Sequence, residues 1–126
     1  KEFALFEKLP EKMTNTIEQM LGEKEYLTGF VAVNAADEIL GYATYFFGYY
    51  TWIGKSLYMD DLYVRPDFRG AGVGTKLINE VIAFAKAENC MKLRWQVSEW
   101  NQSAIDFYKS LGANVDAVES NCDLVF

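Results

Sequence analysis

Histidine is missing altogether from this 126-residue chain. Without an imidazole, neither a serine–histidine nor a cysteine–histidine nucleophile can be assembled, and zinc loses its usual nitrogen ligand. Acid–base work therefore falls to carboxylates, tyrosine, cysteine or lysine. Cysteine is scarce: Cys90 and Cys122 are the only two, too few for a disulfide framework and compatible with a reducing cytosol. No apolar run nears the ~20 residues that span a bilayer, and no signal peptide is visible, so a cytoplasmic protein without a membrane partner is expected. Basic residues are in deficit, 12 Lys and Arg against 18 Asp and Glu, for a net charge of −6. That sign repels phosphate-rich partners, arguing against nucleic acid, and suits a cationic ligand. With two prolines and an apolar fraction of 51%, the chain reads as a folded globule, one domain over residues 1–126. It starts at Lys1 without a methionine, which leaves room for a missing N-terminal piece.

Glycine, by contrast, is concentrated where it can do chemistry. From Asp60 to Leu77 the chain reads D-D-L-Y-V-R-P-D-F-R-G-A-G-V-G-T-K-L. The expected order is a strand over Leu57–Val64, a turn at Arg65-Pro66-Asp67, a glycine-rich loop from Arg69 to Gly74, and then an amphipathic helix. A strand that feeds glycines into a helix start is a means of holding pyrophosphate, because bare amides and the positive end of the helix dipole converge there. A Walker loop is excluded, since the lysine follows Gly74-Thr75 and not the required glycine. A dinucleotide fingerprint is excluded as well, since its third glycine would fall on Thr75.

Elsewhere the periodicity predicts a helix over Glu11–Leu21, with Met13, Ile17, Met20 and Leu21 on one side and Gly22 just past its end, after a helical stretch halted by Pro10. Strands follow at Phe30–Val33 and Ile39–Tyr50, with turns at Asn34–Asp37 and Thr51–Lys55. The helix after the glycines carries Val73, Leu77, Val81 and Ala85 on one stripe, with Ile78 and Ile82 beside it, and Asn89 closes it. Lys92–Val97 alternates as a strand, Asn101 stands as an N-cap, and a helix runs through Leu111 to Gly112. Val115–Phe126 is expected to hold a last pair of short strands. Strand, crossover helix and parallel strand from Leu57 to Val97 imply a mixed α/β sheet with helices on its faces.

Arg69, Gly72 and Gly74 fit the R-x-x-G-x-G loop that binds acetyl-coenzyme A, and here the chain resembles the GNAT superfamily of N-acetyltransferases. Further stretches look like its diamine acetyltransferase subgroup, which includes spermidine/spermine and thialysine enzymes: Trp52-Ile53-Gly54-Lys55, Leu57-Tyr58-Met59-Asp60-Asp61, Glu99-Trp100-Asn101, and Asp106-Phe107-Tyr108-Lys109 before Leu111-Gly112-Ala113. The resemblance implies a mixed, mostly antiparallel central sheet flanked by helices and splayed at the strand before the glycine loop. The family's usual first strand and the start of its first helix are absent.

The resemblance also assigns roles. Tyr108 matches the acid that protonates the leaving coenzyme A thiolate, and a phenol near ~10 can serve a thiol near ~8.5; the plainer reading is a core aromatic beside Phe107. Asp60 falls where the family has a glutamate that accepts the amine proton through water, with Asp61 beside it. Successive strand residues face opposite ways, so both can serve one site only across a bulge. The backbone of Leu62, Tyr63 and Val64 would meet the pantetheine arm, and Gly70, Ala71, Gly72, Val73, Gly74 and Thr75 would cradle the pyrophosphate, with Arg69 shaping or charging that loop. Asn101 would contact the cofactor near its sulfur and Lys109 its phosphates. Glu7, Trp52, Asp60 and Asp61 would receive the amine, carboxylates for ammonium groups and an aromatic face for a cation or methylene chain. Where polyamine enzymes carry an acid two residues before the tryptophan this chain has Tyr50, and their C-terminal acid aligns with Glu119 or Ser120. A short diamine or lysine-like amine therefore fits at least as well as a polyamine. The expected reaction is direct acetyl transfer to a small cationic amine, without metal, in a homodimer; protein N-terminal or lysine acetylation and a non-catalytic acetyl-coenzyme A module are the alternatives. Cys90 has no basic partner in sequence and reads as packing.

Overall fold

The computed structural model describes residues 14–118 and 120–126. These fall into two compact units, Lys1–Gln96 and Val97–Phe126. In the first, helix α1 (Ile17–Gly22) precedes strands β1 (Thr28–Val33), β2 (Ile39–Tyr50) and β3 (Gly54–Val64), helix α2 (Val73–Ala87) and strand β4 (Lys92–Arg94). The sheet order is β1-β2-β3-β4. The first two pairings are antiparallel and the third parallel, as a crossover through α2 requires. This is the mixed α/β architecture the sequence predicts.

Hairpin formation is written into the turns. Asn34 folds the β1–β2 turn by accepting from the Ala36 and Glu38 amides at 2.9 and 3.0 Å, while Asp37 takes φ 58°. Gly54, at φ 105°, opens β3 after the Thr51–Ile53 turn. One sheet face buries Ala43, Tyr45, Leu57 and Met59, and α2 packs across all four strands with Leu77, Ile78, Val81 and Ala85. The Phe84 ring joins them, 4.9 Å from Tyr45 and 6.1 Å from Phe30. Lys76, Asn79, Glu80 and Lys86 lie on the exposed side of α2, as the 3.6-residue period demands.

The β2–β3 register slips once. Thr44 pairs with Asp61 and Tyr45 with Met59, so Asp60 is an extra residue in β3. Such a bulge bends and twists its strand. The parallel ladder to β4 ends just before it, at Tyr58 opposite Arg94, while β3 runs on to Val64. The sheet is splayed from that point.

Several boundaries differ from those expected. Residues 14–16 are not helical: the Thr16 side chain accepts from the Gln19 amide at 3.1 Å and starts α1 there, and Gly22 lies inside its last turn with Glu23 as the cap. Of the stripe expected of this helix, Ile17 and Leu21 are 77% and 65% exposed and Met20 is half-buried. The earlier part of that helix, with Pro10, lies outside the described residues. β1 and β3 begin sooner than expected, at Thr28 and Gly54, whereas β4 stops at Arg94 and not Val97, where the bulge turns its partner away. The glycine loop ends at Gly72, because Val73 and Gly74 already belong to α2. In the second unit, helix α3 (Gln102–Ser110) forms as expected and Gly112, at φ 90°, follows it. The final strand pair does not form among the described residues 115–118 and 120–126. There the Asp116 carboxylate accepts from the Val118 amide at 2.9 Å, a local turn that replaces a ladder.

Candidate active site

The glycine loop is built outward from the end of β3. The Arg65 amide donates to Leu40 O at 2.8 Å, and Pro66–Phe68 makes a single 3₁₀ turn. Gly70 and Gly72 then take φ values of 82° and 83°, the left-handed region that other residues avoid. A Cβ at either would meet no atom within 4 Å, so both glycines border open space. Gly72 caps α2 with no side-chain hydrogen bond, and no acidic residue occupies the first turn. The amides of Val73, Gly74 and Thr75 therefore begin a fifteen-residue helix at its partially positive end, suited to an anion. Gly74 differs from the other two: its φ is ordinary, and a Cβ would lie 3.6 Å from Val64 Cγ2.

Arg69 is tied back to the strand. Its Nε donates to Val64 O at 2.8 Å, and its guanidinium carbon sits 5.4 Å from the centre of the Tyr63 ring. This fastens the loop to the last turn-facing residues of β3. Leu62, Tyr63 and Val64 pair with Ala43, Tyr42 and Gly41 on one side, and on the other they lie beyond the end of the β4 ladder.

The bulge places acid chemistry on the sheet face opposite α2. Tyr42 and Thr44 alternate with the buried Ala43 and Tyr45 along β2, and their partners Tyr63 and Asp61 share that face. Thr44 Oγ1 donates to Asp61 Oδ2 at 3.3 Å and accepts from the Asp61 amide at 3.1 Å. Asp60 is exposed and Asp61 half-buried. The Tyr42 and Tyr63 rings lie 5.9 Å apart. Burial, then the negative charges of Asp61 and Asp60 and the Tyr63 phenol, push the Tyr42 hydroxyl up to about 12. Burial also raises Tyr58, helped by Asp60 and Tyr50 and opposed by Arg94. This face thus combines carboxylates with neutral phenols.

Sequence reasoning does not single out Tyr42 and Thr44. Their step-of-two spacing along β2 is a signal, but only the bulge sets Thr44 opposite Asp61 and Tyr42 diagonal to it. Trp52 is not brought to this cluster: it stands at the tip of the β2–β3 hairpin, 98% exposed, and the six residue steps from Gly54 to Asp60 span ~20 Å. Glu7 and Glu119 lie outside the described residues.

The second unit holds the other candidates. The Asn101 side chain caps α3, accepting from the Ala104 amide and the Ser103 hydroxyl, each at 3.3 Å. Tyr108 is buried, its ring 5.5 Å from that of Phe107, and its carbonyl accepts from the Leu111 and Ala113 amides as the helix ends. Lys109 is exposed in the last turn. Among the described residues no group of three or more Asp, Glu or Cys is arranged to hold a metal ion, and no helix is long and apolar enough to cross a membrane.

The Acetyltransferase (GNAT) family profile matches residues 2–113, spanning both units. A thialysine N-epsilon-acetyltransferase of Bos taurus is 37% identical over 124 residues, covering 90% of this chain and 73% of its own. The Mus musculus enzyme of that name is 37% identical, covering all of this chain and 80% of its own. Among solved structures, an aminoglycoside acetyltransferase from an uncultured soil metagenomic sample, in complex with sisomicin, superposes with a TM-score of 0.76 at 22% identity, over 98% of this chain and 86% of that one; that likeness shows the fold alone. The profile and the two enzymes together show the family: this chain belongs to the GNAT acetyltransferases and is an N-acetyltransferase.

Proposed function

We propose that this enzyme moves the acetyl group of acetyl-coenzyme A onto a primary amine of a small lysine-like or diamine substrate of the thialysine type. The observation that carries the co-substrate half is the uncapped start of α2 behind two left-handed glycines that border open space. A pyrophosphate would accept from the amides of Gly70 to Thr75, with Arg69 bracing the loop against Val64 and Tyr63. The backbone of Leu62 to Val64 would pair with the pantetheine arm, Asn101 would contact it near the sulfur, and Lys109 would meet its phosphates. The substrate half is supported by the thialysine enzymes at 37% identity and by the acidic, phenol-lined face around the bulge.

The chemistry is direct attack with no acyl-enzyme. An alkylammonium near pKa ~10.4 must first lose a proton, which Asp60 accepts through water, while Asp61 holds the cationic substrate. The amine nitrogen then bonds to the thioester carbonyl carbon. Collapse breaks the carbon–sulfur bond, and Tyr108 gives its proton to the departing thiolate. Two copies are proposed to associate as a homodimer.

The test is release of free thiol from acetyl-coenzyme A across thialysine, lysine, ornithine, short diamines, spermidine and lysine peptides. Turnover should be fastest with thialysine or a short diamine. Turnover only with peptides would overturn the small-amine assignment, and no release with any amine would overturn acetyl transfer itself.

A further inference from the structure

We propose that Thr44 is a positioning residue that fixes the Asp61 carboxylate beside Tyr42 to receive the substrate ammonium, leaving Asp60 to take the proton. The inference rests on the acetyl-transfer reading above and deepens it, because it separates the work of two adjacent aspartates.

Two consecutive aspartates in a strand are unfavourable by propensity, and a half-buried carboxylate costs free energy unless it is hydrogen-bonded. Here the first lies in the bulge, outside the ladder, and is exposed; the second is back in register, opposite Thr44. A hydroxyl both donates and accepts, so one threonine can hold a residue twice. Thr44 does so, donating a hydrogen bond to Asp61 Oδ2 and accepting one from the Asp61 amide. The backbone hydrogen bond fixes the exit of the bulge, and the side-chain one fixes where the carboxylate points. A valine would suit the strand as well, but would do neither.

Tyr42 is the next residue along the same face, diagonal to Asp61 and packed on Tyr63. Its phenol keeps its proton throughout the neutral range. It therefore adds a polar hydroxyl and an apolar ring beside Asp61 without adding charge, a surrounding suited to an ammonium on a short methylene chain. Asp60, not held in the ladder, keeps the freedom that proton transfer through water uses. In this arrangement Asp61 reads the cation and Asp60 handles the proton.

The experiment compares Thr44→Val, Thr44→Ser and Asp61→Asn by thiol release with acetyl-coenzyme A and thialysine, varying each substrate in turn, with a thermal melt of each protein. Thr44→Val should raise the thialysine KM roughly 10-fold or more, the scale of a hydrogen bond to a charged group, with kcat and the acetyl-coenzyme A KM within about twofold by the same reasoning. Thr44→Ser should stay near wild type. In the Asp61→Asn background, Thr44→Val should add little, because both changes act on one group. The inference is overturned by an unchanged thialysine KM in Thr44→Val, by Thr44→Ser behaving like Thr44→Val, or by additive effects with Asp61→Asn. A parallel change in kcat and both KM values with a lowered melting temperature also overturns it, by making Thr44 a staple of the bulge alone. If Thr44→Val does not fold, Thr44→Ala takes its place against Thr44→Ser. Wild type that turns over no amine overturns the acetyl-transfer reading and this inference together; normal wild-type turnover with an indifferent Thr44→Val overturns only the latter.

Discussion

Replacing Gly72 and Gly74 by alanine, one at a time, separates the two jobs a glycine can have in this loop. At Gly72 the backbone is left-handed, and alanine there costs roughly 1–2 kcal/mol. No clash adds to that, since the new Cβ would meet nothing within 4 Å. For a chain of this length the cost corresponds to a melting temperature lower by roughly 3–8 °C. That same open space is where the proposed pyrophosphate approaches the α2 amides, so the methyl should weaken acetyl-coenzyme A well beyond its effect on folding. Losing one charge-assisted hydrogen bond amounts to roughly 10–100-fold in Kd. Gly74 is the control: it is helical, and a Cβ would rest 3.6 Å from Val64, an ordinary contact. Alanine there should be neutral or raise stability by up to about 1 kcal/mol, through the better helix propensity. Its acetyl-coenzyme A affinity should change little. Calorimetric titration with acetyl-coenzyme A, beside thermal melts, reads both quantities. The reasoning is refuted if Gly72→Ala binds acetyl-coenzyme A as tightly as wild type, or if Gly74→Ala weakens binding as much as Gly72→Ala does.

Tyr108→Phe removes the proposed thiolate acid and keeps the buried ring, so turnover in the thiol assay should fall roughly 10–10³-fold while acetyl-coenzyme A affinity holds; unchanged turnover removes Tyr108 from the mechanism. Tyr42 makes a prediction about alkali. Its hydroxyl is raised from 10.0 to about 12, so between those values the unfolded chain has released the proton that the folded one keeps. The stabilisation is complete below pH ~10 and is lost as pH rises through ~12. Two units correspond to at most about 2.7 kcal/mol, and screening of a half-buried phenol reduces this to roughly 1 kcal/mol. Urea midpoints at about pH 9 and pH 11 should therefore converge in Tyr42→Phe relative to wild type; an identical drop in both proteins would show that Tyr42 carries none of it.

Much of the frame was legible because it is local. Asn34 and Asp37 announce the first turn, the stripe from Val73 to Ala85 announces α2, and Asn101 with Gly112 brackets α3. Each signal is carried by the residues that form the element. Structure departs from expectation where a partner or a cap decides. The Ile17 and Leu21 side chains looked like a core stripe, yet Thr16 starts their helix late and both stay exposed. The Val115–Phe126 stretch has strand-like composition, but β propensity becomes a strand only against a paired edge, and Asp116 bends the chain locally instead.

The bulge at Asp60 lies between these cases, and more of the site depends on it than on any single motif. In a regular strand Asp61 would share its side with Met59, whereas Asp60 would face the other way. One inserted residue resets that parity: Met59 stays with Tyr45 over α2, and Asp61 moves to the face of Thr44 and Tyr42. The same insertion turns β3 away from β4, so that Leu62 to Val64 run past the end of the parallel ladder toward the glycine loop. Acidic face, splayed edge and approach to the loop are thus three consequences of one register slip. Two adjacent aspartates in a strand hinted at it, but only the pairing partners on β2 reveal which side each one takes. That is also why Thr44, unremarked in a strand-forming run, ends up in contact with the carboxylate proposed to recognise the amine.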